Sequence, residues 1–154
     1  MYTKCFVMIV LLMLIIVGGL YKFMFQGDVS QGADGRATIH LTAPERDLVL
    51  AEMRAFLISV QQITSGISDG DMKQVTDSAR KVGKAAQGEM PGTLMAKLPL
   101  AFKQLGSDTH SKFDQLAMDA EDMEDSQHAL KQLSTLMQNC VSCHSAYRID
   151  MSGN

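Results

Sequence analysis

Leu130, Leu133, Met137, Cys140, His144 and Tyr147 follow one another at alternating spacings of three and four, which marks one face of a single helix. That periodicity runs into Cys140-Val141-Ser142-Cys143-His144, so an amphipathic helix has to end on two thiols three apart and an adjoining imidazole. Cys140 and His144, at i and i+4, project to the same side, with Cys143 at its margin. Any fold this chain adopts must accommodate that cluster at the C-terminal end of a helix.

C-x-x-C-H is the usual attachment signature for a c-type haem. Two cysteines at this spacing reach the two vinyl groups of one porphyrin, and the following His supplies a neutral imidazole nitrogen to the iron. A structural zinc site needs four N or S ligands, and the remaining cysteine, Cys5, lies in an apolar stretch at the opposite end of the chain. A thioredoxin-like dithiol wants its reactive cysteine at a helix N-terminus, where the dipole favours the thiolate; here the helix arrives from upstream. The expectation is one covalent haem c, bound by Cys140 and Cys143, with His144 as the proximal axial iron ligand and the haem against the interior face.

The 154 residues, 46 % hydrophobic and 20 % charged, suit one small domain plus an accessory segment. Net charge is -3, and no basic stripe points to nucleic acid. Trp is absent and the 12 methionines offer both flexible core filling and thioether ligands. No Ser-His-Asp set, phosphate loop or paired-carboxylate motif argues for independent catalysis, so the chain reads as a carrier, not an enzyme.

Residues 1–25 form the second distinctive segment. From Cys5 to Phe25 the only charge is Lys22, and those residues as a helix reach about 31 Å, enough for a hydrocarbon core. Lys22 beside Tyr21 suits an interfacial boundary. A cleaved signal peptide is the rival reading, although no A-x-A-like site follows the run. The expectation is an uncleaved anchor in the bacterial inner membrane through residues 5–25. Lys4 and Lys22 nearly balance the positive-inside count, and haem attachment outside the cytoplasmic membrane places the globular part on the periplasmic side.

Residues 26–42 are rich in Gly, Ser and Asp without a sustained period and read as a linker. Pro44 suits a first helical turn after Thr42 or Ala43, and Leu50, Met53, Leu57, Val60, Thr64 and Ile67 mark one face of a helix to about Ser68. Asp69-Gly70-Asp71 interrupts it. Met72, Val75, Ala79, Val82 and Ala86 then mark a second helix ending near Gly88. Pro91 and Pro99 make 90–106 a connection with short helical turns, TLMAKL and LAFKQL. Ser107 or Asp108 caps a third helix carrying His110, Phe113, Ala117 and Ala120, and the acidic turn Glu121, Asp122, Glu124, Asp125 separates it from the fourth. The expected fold is all-α: an antiparallel four-helix bundle over 43–150 behind an N-terminal transmembrane helix.

With Cys140 to His144 near the end of a fourth helix and followed by Tyr147-Arg148, the chain resembles the class II c-type cytochromes, the cytochrome c prime group. The likeness in helix order covers about 43–148, and only the C-terminal motif is specific. The resemblance implies a haem inside the bundle, with a first-helix residue on the distal side. In some members that residue is Met, giving a six-coordinate electron carrier; in others it is apolar, leaving a five-coordinate iron that binds nitric oxide or carbon monoxide.

An up-down-up-down topology sets the start of the first helix beside the end of the fourth. Met53, nine residues after Pro44 and about 13 Å along the axis, is then the candidate sixth ligand, with plain core packing as its alternative. Members often carry Arg four residues before the distal position. Arg46 before Leu50 would give an apolar pocket, whereas Arg54 before Ile58 falls off the stripe. His110, at the start of the third helix, is the remaining candidate. Arg46 either pairs with a haem propionate or is an exposed helix-start charge. The functional expectation is one-electron transfer between redox partner proteins of a respiratory chain, with the gas-binding protein and a haem-free anchored interaction domain as alternatives. The resemblance also implies a homodimer.

Overall fold

The computed structural model describes residues 2–86, 88 and 90–151. Met1, heading the expected anchor, and Gln87 and Glu89, inside the expected haem domain, lie outside the described residues. Helix α1 (Tyr2–Tyr21) is apolar, and from Lys4 to Tyr21 it is unburied and long and apolar enough to cross a membrane, a property that signal sequences share. A π-helical turn, Lys22–Gln26, continues it.

Residues 26–42 are not a linker. They form an antiparallel hairpin of β1 (Val29–Gln31) and β2 (Ala37–Leu41), with Ala37 opposite Gln31 and Ile39 opposite Val29. A third strand, β3 (Tyr147–Met151), follows the last helix directly and pairs parallel with β2, from Ala37–Tyr147 to Leu41–Met151. The molecule is therefore mostly helical with a small sheet, not all-α. Its central strand, Ala-Thr-Ile-His-Leu, turns Ile39 and Leu41 to one face at the strand period of two, and both are fully buried.

Helix α2 (Ala43–Asp69) begins where a reciprocal capping box meets Pro44: the Thr42 side chain accepts from the third helical N–H, and the Thr42 N–H donates to the Glu45 carboxylate at 2.9 Å. Such boxes satisfy two of the unpaired donors of a first turn. The helix stops at Gly70, in the left-handed region at φ 71°. Asp71 caps the short α3 (Met72–Arg80) by accepting from the Gln74 N–H. A single turn, α4 (Gly92–Lys97), occupies the TLMAKL stretch. Helix α5 (Leu100–Met123) starts directly after Pro99, so it absorbs LAFKQL and begins earlier than Ser107 or Asp108. Asp125 caps α6 (Ser126–Ala146) with its carboxylate on the N–H groups of Gln127 and His128.

Helix α2 packs on α3 and α6, and α5 packs on the same two. Their common core joins Phe56 and Ile63 of α2, Val75 and Ala79 of α3, Phe113 and Leu116 of α5, and Leu133 and Leu136 of α6. Phe56 and Phe113 stack at 5.4 Å. A second cluster, Ile39, Leu41, Val49, Leu94 and Leu98, lies at the sheet and takes in Phe102, Tyr147 and Ile149 at its edge. Because β2 leads into α2 while α6 leads into β3, the start of α2 and the end of α6 share the sheet end. Phe102 meets Tyr147 edge-on at 5.4 Å, which brings the start of α5 there too.

Candidate functional site

The motif occupies the last turns of α6 before the chain enters β3. Cys140 and Cys143 are free and half-buried, and Cys140 packs against the main core. Burial pushes both thiols above their ordinary range, and the neighbouring Cys140 adds to the effect at Cys143. Burial thus favours the protonated thiols, which is the opposite of what a reactive dithiol needs. His144 is exposed, so it does not point into the interior as the sequence led us to expect.

Helical geometry explains where it does point. At 100° per residue, Val49, Phe56 and Ile63 form the inward line of α2, and all three are buried. One flank of that line meets α3: the Gln62 carbonyl accepts from Gln74 Nε2 at 2.9 Å, and a Cβ on Gly66 would lie 2.9 Å from the Val75 side chain. Met53, Val60, Leu50 and Leu57 occupy the other flank, which turns toward α6. On α6, Asn139 and Gln132 bond to Asp108, Thr109 and Asp119 of α5, so Leu130, Met137 and His144 lie on the flank turned toward α2.

The two periodic stripes found in the sequence therefore straddle the core margin and the α2/α6 seam: Leu133 is buried in the core and Val60, Ile67 and Cys140 pack against it, whereas Leu50, Leu57, Leu130, Met137 and His144 are exposed. Leu57 remains 70 % exposed and Met137 42 % exposed. Met53 is half-buried and, like Cys140, packs on the margin of the core. The structure thus brings the Met53 stripe and the motif helix to one seam.

Neighbouring groups hold the motif in place. Arg36 donates to the His144 carbonyl at 3.3 Å and pairs with Asp34 at 2.6 Å; the Arg36 hydrogen bonds hold the Asp34 carboxyl below its usual range. Just upstream, Asn139 donates to Asp108 at 2.7 Å and accepts from Lys112 at 3.0 Å. These partners come from a loop and from α5. Neither Arg36 nor Asn139 stood out in the sequence, because each is a single polar residue whose partner is distant in the chain.

Arg46 is half-buried in the first turn of α2 and pairs with its neighbour Asp47 at 3.0 Å. His110 does not reach the seam. It is buried on the α3 side of α2, with Nδ1 2.8 Å from the Val82 carbonyl and Nε2 3.1 Å from Glu52, and its ring lies 5.0 Å from that of Phe56. Burial works to lower its pKa, but hydrogen bonds to Glu52 and Val82 outweigh it and leave the imidazole raised above its ordinary value. Both ring nitrogens are engaged, as befits a core histidine.

The residues present match what a covalently attached haem requires: two protonated, half-buried thiols three apart, an exposed imidazole next to them, and a seam with large apolar side chains at its outer edge. Among the described residues, no group of three or more His, Cys, Asp or Glu side chains is disposed to hold a bare metal ion. Comparison with protein-family models, curated proteins and solved structures gives no match to this chain.

Proposed function

We propose that this chain is a membrane-anchored monohaem c-type cytochrome of the cytochrome c prime kind, an electron carrier on the periplasmic side of a bacterial inner membrane. The observation that carries the reading is the C-x-x-C-H pentapeptide at the end of α6, beside the apolar α2/α6 seam. Helices α2, α3, α5 and α6, read as an antiparallel four-helix bundle, supply the scaffold. Redox proteins of a respiratory chain are its partners.

When bound, the haem supplies one-electron chemistry at iron cycling between ferrous and ferric states. This chain's residues do the rest. Cys140 and Cys143 hold the porphyrin by thioether bonds, and His144 offers its imidazole as proximal ligand. Arg36, through the His144 carbonyl, and Asn139, through α5, position the turn that carries all three. Leu50, Leu57 and Met137, exposed on the seam, offer the apolar surface against which a porphyrin would lie. Met53, half-buried on that seam, is the proposed distal ligand, and Arg46 the proposed propionate partner. Leu50 and Leu57 flank Met53, and with either in its place the iron would be five-coordinate and open to carbon monoxide.

The test is the visible spectrum of the purified ferric and ferrous protein, with and without carbon monoxide. A low-spin spectrum that turns high-spin in Met53→Ala is expected. High-spin iron that binds carbon monoxide rapidly in the unaltered protein rejects Met53 as ligand, in favour of the gas-binding alternative. Peroxidase staining of a denaturing gel examines the attachment itself, and a band without haem from a host with a maturation system rejects the cytochrome altogether.

A further inference from the structure

We infer that the junction between α1 and the sheet seats the Cys140–His144 end of the domain against the lipid surface; this rests on the reading of α1 as a retained anchor. The segment expected to let the domain swing is short and tied down. The π-helical turn after α1 contacts both α4 and α5. The Gly27 N–H donates to the Lys22 carbonyl at 3.1 Å, and the Asp28 N–H to the Lys97 carbonyl at 2.8 Å. The Asp28 carbonyl in turn accepts from the His40 N–H at 3.0 Å, so the first residue past Gly27 is already locked to the central strand.

Gly27 shows how close this approach is. Its φ is 69°, and a Cβ there would collide with the Lys97 carbonyl oxygen and lie 2.8 Å from the Pro99 nitrogen. Only glycine combines that conformation with that proximity.

Strand register then fixes where the motif sits. Val29 pairs with Ile39, and Ala37, two residues away along β2, pairs with Tyr147. Two residues of strand are about 7 Å, so β3 begins about that far along the sheet from the residue that follows the anchor junction. His144 precedes Tyr147 by three residues.

Charge is arranged to the same effect. The sheet end mixes bases with acids, among them Arg36, Arg46, Lys97 and Arg148 with Asp34, Glu45, Asp47 and Asp150. The opposite end, where α2 and α5 stop and α3 and α6 begin, gathers Asp69, Asp71, Glu121, Asp122, Glu124 and Asp125, with Arg80 paired to Glu121 and Lys73 to Asp77. An anionic headgroup layer repels that acidic end and leaves the near-balanced end as the one it tolerates.

The experiment uses the full chain with its haem, in a Cys5→Ser background, reconstituted in phosphatidylethanolamine–phosphatidylglycerol vesicles. A fluorophore is placed through Gln138→Cys or Gln127→Cys, two exposed positions of α6 about 16 Å apart along its axis. Emission is compared with and without a headgroup nitroxide lipid, so that haem quenching cancels in the ratio. The inference expects at least twofold stronger lipid quenching at position 138, and expects the difference to vanish when ten Gly/Ser residues are inserted between Gln26 and Gly27. Equal or reversed quenching, or a difference that survives the insertion, overturns it. A chain that alkaline carbonate strips from the vesicles overturns the anchor reading as well, whereas a retained chain with equal quenching overturns this inference alone.

Discussion

Glu45 shows how much one side chain settles at the sheet end. It is buried, closes the capping box on Thr42, and accepts from Lys97 at 2.6 Å. The Lys97 hydrogen bond first, and the Thr42 N–H second, hold its carboxyl below the ordinary 4.5. A carboxyl whose folded pKa is depressed contributes stability that is present above its unfolded pKa and lost as pH falls through the folded one. Glu45→Gln should therefore lower the thermal midpoint at pH 7, and the two melting curves should converge as pH falls below the ordinary carboxylate range. His110 supplies a contrasting case at the same scale. Because its nitrogens serve Val82 and Glu52, His110→Gln should cost about 1–3 kcal/mol in denaturant titrations while leaving the visible spectrum of the haem protein unchanged. A spectral shift in that variant would restore His110 as an iron ligand.

Each helix separates its structural residues from its site residues by angle around its own axis. Phe113 is fully buried and stacks on Phe56, so Phe113→Ala should destabilise the protein by about 3–5 kcal/mol. Leu57, one turn beyond Met53 and largely exposed on the seam, belongs to the other class. Leu57→Lys should change folding stability by no more than about 0.5 kcal/mol and yet alter carbon monoxide binding by the haem protein. Unfolding curves and carbon monoxide titrations of the two variants check this division, and a large stability loss in Leu57→Lys would move the seam into the core. The sheet works differently: β2 is buried between two short neighbours, and it joins the chain before α2 to the chain after α6.

In the molecule as a whole, the turn after α1, the sheet and the end of α6 are tied together by backbone hydrogen bonds and strand pairing. The parallel pairing of β2 with β3 brings residues about 110 apart in sequence into register, which closes the domain next to the point where it leaves α1. The C-x-x-C-H turn thereby lies at the end of the domain that joins α1, and the acidic turn at the other. Under the proposed function, a donor or acceptor embedded in the same bilayer meets the motif end, and a soluble partner meets the acids.

Most of the helices were legible in the sequence because their signals are local. Pro44 and Thr42 mark the start of α2, Gly70 and Asp71 its end and the next start, and Asp125 the start of α6, each through hydrogen bonds reaching three or four residues. The motif at Cys140 to His144 was legible for the same reason, as was the apolar run of α1. The sheet was not, since a three-residue and two five-residue strands carry little pattern and owe their stability to partners far along the chain. Nor was the rotation of α2 and α6: Leu50 and Leu57 are as apolar as Val49 and Phe56, and only the positions of α3 and α5 decide which line faces inward. Local spacing and capping sufficed to mark most of the helical segments and the turn that carries the two thiols and the imidazole. Tertiary packing decided that this turn sits at the core margin with His144 exposed, that His110 is withdrawn from it, and that the chain leaving α1 is tied in beside it, because each of those facts depends on neighbours that no local spacing encodes.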